Sequence, residues 1–160
     1  MFEESRDTNN QTNDDVYVPF RIRNQWFTAD VRHVVAVGVR GTTAPIPQTP
    51  EYVLGYSILD GETFVTVDLA SVLGLSIVED TPLEDAMVPE RLVILEANGM
   101  RIAVPVSKTG PLLTISMTQM TEVSDDMGVD VSGVLWGQFE RMGRSYGVLN
   151  IPSLLEHSRV

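Results

Sequence analysis

Gly55-Tyr56-Ser57-Ile58-Leu59-Asp60-Gly61-Glu62-Thr63-Phe64-Val65-Thr66-Val67-Asp68-Leu69 reads as an apolar strand, a glycine turn and a second strand whose apolar residues alternate up to Asp68-Leu69. Asp68 is placed to cap a short helix carrying Leu69, Val72 and Leu73, and Gly74 is its expected terminator. Immediately upstream, residues 40–51 (RGTTAPIPQTPE) contain three prolines. Proline removes a backbone donor and fixes φ, so this stretch is expected to be a loop of defined shape and not a strand.

Outward from this hairpin the chain keeps the same character. Val16–Ile22, Trp26–Val31 and Val34–Val39 are short β-type runs separated by polar turns such as Arg23-Asn24-Gln25. Downstream, Arg91–Ala97 turns through Asn98-Gly99 and returns as Met100–Val106, and Asn-Gly between apolar runs is a strong hairpin signal. Leu112–Met117 is a further predicted strand, and Val131–Phe139 is expected to pair with Tyr146–Ile151 across Arg141-Met142-Gly143-Arg144. Pro152 is expected to open a terminal helix running through Glu156. Residues 1–15 are polar and lack apolar anchors, which predicts a flexible tail ahead of one domain over 16–160. Residues 76–90 read as an acidic connector and 121–130 as an acidic loop. The fold class expected from these patterns is all-β with short helices, built as small barrels.

At 160 residues the chain is long enough for a real core, either as one domain or as two small, closely packed subdomains. Its formal charge of −11 sets it against phosphate backbones and anionic headgroups. The expected partners are therefore proteins, with no nucleic acid and no membrane insertion. With no cysteine there is neither a disulfide framework nor thiolate chemistry. The longest apolar stretches are too short for a membrane span and no secretory signal opens the sequence, so a cytoplasmic location is expected.

Little in the sequence suggests catalysis. His33 and His157 are far apart and belong to no zinc motif, and His33, among apolar neighbours, reads as a hydrogen-bonded strand-end residue. Asp125-Asp126-x-Gly128-x-Asp130 lacks the ligand spacing and terminal glutamate of a calcium loop. The glycine pairs Gly38/Gly41 and Gly133/Gly137 match neither a phosphate loop nor a nucleophile elbow, and are expected at turns or bulges. Trp26, Phe27, Phe64 and Trp136 either line a pocket or, more commonly for strand aromatics, pack in the core. The reading is a non-enzymatic binding protein without a cofactor. The alternative is a small-ligand-binding β-barrel sensor.

The hairpin frame is Gly55, three residues, Leu59-Asp60-Gly61, then an extended run to Asp68-Leu69. It resembles the signature of the CheW-like coupling proteins of bacterial chemosensory arrays, in which glycine, three residues and Leu-Arg-Gly precede a run ending Asp-Leu. Trp26-Phe27-x-x-Asp30-Val31, Val34–Val37, Ile46-Pro47-x-x-Pro50, Arg91–Val106, Ser132-Gly133-Val134 and Leu149–Leu155 follow in the order that family shows.

The resemblance implies two SH3-like β-barrel subdomains packed around a shared apolar core. It also implies an adaptor that couples a histidine kinase to chemoreceptors, in the cytoplasm within chemosensory clusters. One surface would meet the kinase regulatory domain or another CheW-like adaptor, and a groove between the barrels would take the helical cytoplasmic tip of a chemoreceptor. A second coupling protein of a motility system such as that of gliding myxobacteria fits this profile.

Carried over by position, the partner-binding residues are Val34, Ala36, Val37, Gly55, Leu59, Asp60, Gly61, Ile102 and Ala103. The competing role for Val37 and Leu59 is core packing, and for Gly55 and Gly61 it is backbone bending. The chain also departs from the family pattern. Ala36 stands where glutamate is common, Asp60 replaces arginine, Val65 replaces proline, and Lys108 and Asn150 each replace aspartate. Arginine offers a planar fork of donors whereas aspartate only accepts, so position 60 cannot keep the family's contact and the receptor surface is expected to be weakened or retuned.

Overall fold

A computed structural model describes residues 14–75, 90–123 and 133–157. Residues 1–13 of the expected 1–15 tail, residues 76–89 of the expected 76–90 connector and the greater part of the acidic loop, with its faint cation motif, lie outside the described residues.

The strands are β1 (Asp14–Ile22), β2 (Gln25–Asp30), β3 (Val34–Val39), β4 (Val53–Leu59), β5 (Glu62–Val67), β6 (Arg91–Ala97), β7 (Met100–Val106), β8 (Lys108–Thr109), β9 (Leu113–Ser116), β10 (Leu135–Arg141) and β11 (Arg144–Leu149). The helices are α1 (Leu69–Leu73) and α2 (Ile151–His157), with 3-10 turns at Val31–His33 and Met117–Gln119. One sheet runs β10-β11-β2-β1-β8, with β9 also paired to β1, and the other runs β3-β6-β7-β5-β4.

Each sheet curls back on itself. Beyond β3, Ala44 donates to Tyr56 O at 2.9 Å and accepts from Tyr56 N at 2.7 Å, bringing the chain to the far edge strand β4. Beyond β9, Thr121 and Gln138 exchange backbone bonds of 2.7 and 2.9 Å, reaching β10. Parallel pairings join the hairpins inside each barrel, Tyr146–Val148 to Trp26–Thr28 in the first and Thr66 to Ala103 in the second. Closing a sheet in this way removes the exposed edges that invite indiscriminate strand pairing.

The period-two alternation of β6 feeds two cores at once. Leu92 and Ile94 face the interior of the second barrel with Phe64 and Ala103. Val93, Leu95 and Ala97 face a core shared between the barrels, with Phe20, Phe27, Leu69, Leu73, Leu154 and Leu155. The first barrel is filled by Tyr17, Ile115, Phe139, Tyr146 and Val148. The expected pair of barrels around a common apolar core is the observed architecture.

Both tryptophans, Trp26 and Trp136, belong to the first sheet. Ile94→Ala, in the second barrel, and Leu95→Ala, in the shared core, are each expected to cost about 2–4 kcal/mol. If the barrels unfold as one unit, tryptophan fluorescence and far-UV dichroism will report the same lowered urea midpoint for both variants. A fluorescence transition left in place by Ile94→Ala would show that the barrels unfold separately.

Several element ends are corrected. β1 begins at Asp14 and not Val16, because Asp14 and Asp15 pair with Ser116 and Ile115. Val31 leaves β2 to start a 3-10 turn, and Met117 leaves β9 to start another, capped by Ser116 with Gln119 reaching back to its backbone. Asp68 occupies the cap position of α1, but its carboxylate accepts from the Ser71 hydroxyl at 3.1 Å and makes no backbone cap bond. Helix α2 starts at Ile151, ahead of Pro152, with Asn150 Oδ1 accepting from Ser153 N.

Candidate functional site

Asp30 fixes how the chain enters β3. Its Oδ1 accepts from Arg32 N at 2.9 Å and Arg32 Nε at 3.0 Å, and its Oδ2 accepts from Arg32 Nη2 at 2.6 Å. His33 then ties the turn to β6 through Nδ1 and Glu96 O at 2.9 Å, the hydrogen-bonded role expected for it. Burial pushes the Asp30 carboxyl up, but the Arg32 bonds outweigh it and hold the pKa below its ordinary value. A folded pKa below the unfolded one stabilises fully above the unfolded value and is lost as pH falls through the folded value. Asp30→Asn is therefore expected to lower the melting temperature at neutral pH and to flatten its fall below about pH 4, as read in a melting series across pH.

From this turn β3 runs with Ala36 inward, while Val35, Val37 and Val39 point outward, Val37 being 46% exposed. A Cβ on Gly38 would overlap the Leu59 side chain, which lies against β3 inside the barrel. On β4, Tyr56 and Ile58 also face outward, Ile58 being 66% exposed. The β4–β5 turn is Asp60-Gly61, with φ of 51° and 79°. Positive φ at both central residues is the type I′ geometry, in which Asp-Gly is a preferred pair. Asp60 is exposed at its tip.

The structure divides the sequence-derived site residues. Val37, Asp60 and Gly61 are exposed. Val34 is half-buried against the shared core, and Ala36 and Leu59 against the second-barrel core. Ile102 and Ala103 are interior residues, 3% and 0% exposed, and Gly55 is buried, so these three pack or bend the scaffold and do not line a groove wall. Ile102 and Ala103 are adjacent in a continuous apolar run, so they take opposite faces of β7 and both faces are covered.

Sequence reasoning missed a charged cluster beside the turn. Arg101 Nε meets Glu96 Oε2 at 2.6 Å and Nη1 meets Glu62 Oε2 at 3.1 Å. Its guanidinium is thus engaged by two carboxylates. Val35, Val39, Tyr56 and Ile58, all exposed, were missed as well. Of the aromatic residues, Phe27 and Phe64 are core. Trp136 sits at a β-bulge between Leu135 and Gly137 and is 66% exposed.

The departures have local explanations in part. Asn150 Nδ2 donates to Gly133 O at 3.2 Å while its Oδ1 caps α2, a donor role that an aspartate cannot fill. Val65 packs against the shared core. Lys108 is exposed on β8, opposite Arg21.

An outward apolar strand row thus lies beside an acid-edged turn on the second of two barrels. The CheW-like domain family matches residues 16–159, and the chain belongs to that family. The chain is similar to the crystal structure of the scaffolding protein TtCheW from Thermoanaerobacter tengcongensis, with a TM-score of 0.72 and 19% identity over 89% of this chain and 92% of that one. The comparison with curated proteins returns no match. Among the described residues no helix is long and apolar enough to cross a membrane.

Proposed function

We propose that this protein is a non-enzymatic adaptor in a bacterial chemosensory complex. It couples, or modulates coupling between, chemoreceptor and histidine kinase in cytoplasmic clusters. Family membership supports the class of role. The observation that carries the finer reading is the outward row Val35, Val37 and Val39 together with a turn edged by Asp60, Glu62 and Glu96, whose neighbouring cation Arg101 is already paired. An apolar face suits a helix laid across it, and rim charge selects which helix. An acidic rim disfavours a receptor tip that presents a carboxylate to the family's arginine.

The receptor interface is therefore weakened or retuned, while docking to a kinase regulatory domain or another CheW-like adaptor is retained. Both barrel interiors are occupied by side chains, which favours the adaptor reading over a small-ligand-binding β-barrel sensor. Calorimetric titration against a kinase regulatory domain, a CheW-like adaptor and receptor-tip fragments tests the role. Saturable binding to the kinase domain or the adaptor is expected, and no heat from any of the three would overturn it.

A further inference from the structure

The first barrel carries a cleft of about 310 Å³ lined in part by Pro19, Trp26, Pro111, Arg141, Arg144 and Tyr146. All six belong to or adjoin the six-stranded sheet, whereas the residues of the receptor-side reading belong to or adjoin the five-stranded one. The Arg144 guanidinium lies 4.2 Å over the Trp26 ring, and Trp26 meets Tyr146 edge-on with centroids 5.9 Å apart. Tyr146 in turn stacks on Phe139 at 5.1 Å, which anchors this wall to the barrel core.

Two features point to an anionic occupant. Arg141 and Arg144 are direct cross-strand partners, a like-charge pairing that destabilises a hairpin. Among the described residues neither guanidinium meets a carboxylate, although the chain carries a net charge of −11; Arg141 Nη2 donates to Thr114 O at 3.2 Å. Exposed Pro111 and half-buried Trp26 add apolar surface beside these cations, with Pro19 and Tyr146 buried behind them, and apolar surface next to cations suits an extended, proline-containing acidic segment.

We propose that this cleft binds an extended acidic segment of a partner protein, with a proline or aromatic residue against Pro111 and the open part of Trp26 and adjacent Asp or Glu carboxylates on Arg141 and Arg144. The assignment goes beyond the adaptor reading and uses a different face of the molecule.

The test uses the full chain carrying Trp136→Phe, so that Trp26 is the sole tryptophan. The probes are a synthetic peptide with a Pro-x-x-Pro core followed by a glutamate run, its glutamine counterpart, and inorganic phosphate. The expected result is a saturable change in Trp26 emission with the glutamate peptide, weakened about tenfold by Arg144→Gln or by the glutamine exchange and further weakened by salt. The glutamine peptide reads the charge requirement on the unaltered cleft, so the proposal stays decidable even where an arginine variant misfolds. No saturable change, equal affinity for the glutamine peptide, undiminished affinity in folded Arg141→Gln and Arg144→Gln variants, or a matching response to inorganic phosphate would each overturn the proposal.

Discussion

Gly55→Ala is expected to lose about 3–5 kcal/mol of folding stability, the largest single effect anticipated outside the apolar cores. Gly55 has a φ of +140°, a conformation side chains rarely adopt, at a bulge between Val53 and its own position. A Cβ there would press into the Ala44 carbonyl and stand 3.0 Å from Pro45 Cα, both of them backbone atoms. Relief requires pulling residues 44–45 away from β4, which breaks the two Ala44–Tyr56 bonds that close the second barrel.

Gly61 is the control. Its φ is +79° but nothing lies within 4 Å of an added Cβ, so Gly61→Ala carries only the conformational cost of about 1–2 kcal/mol. Urea denaturation of the two variants separates backbone conformation from barrel closure. Equal losses would mean that the Ala44 approach is not what Gly55 protects.

That closure shows where the sequence stops being legible. The hairpins could be read locally, because Asn98-Gly99 and the apolar runs on either side of it are signals contained within a few residues, and the observed strands Arg91–Ala97 and Met100–Val106 coincide with the expected ones. Which hairpin lies beside which could not. The parallel contacts of β11 with β2 and β5 with β7 join segments far apart in sequence, and the bridges at Ala44 and Thr121 are single residue pairs inside segments without strand periodicity. The proline-rich loop was expected to have a defined shape, but nothing in its composition marks Ala44 as the residue that seals the barrel.

The candidate site divides along the same line. Turn chemistry at Asp60-Gly61 is local and readable as a glycine turn, and Arg101 with Glu96 is a cross-strand pair inside one hairpin, whereas the Arg101–Glu62 pair depends on the tertiary meeting of two hairpins. Ile102 and Ala103 came from positional resemblance, and their burial follows from the strand being covered on both faces. Val35 and Val37 alternate with half-buried Val34 and Ala36, yet valine alone does not reveal that the outward row is left uncovered.

Asp60→Arg addresses the claim on which the functional account rests. Aspartate at a φ of 51° suits the turn, so some conformational cost, up to about 1–2 kcal/mol of folding stability, accompanies the bulkier arginine. Binding moves the other way. Arginine would convert an acceptor of negative sign into a fork of donors at the exposed tip. Restoring a charge pair with a receptor carboxylate and relieving like-charge repulsion is worth about 2–5 kcal/mol where the pair is desolvated, well over tenfold in affinity. The two effects are read independently, the first by urea denaturation and the second by binding. The decisive measurement is calorimetric titration of a receptor-tip fragment into the wild-type chain and the Asp60→Arg variant. The account predicts more than tenfold tighter binding by the arginine variant, and equal affinities would contradict it.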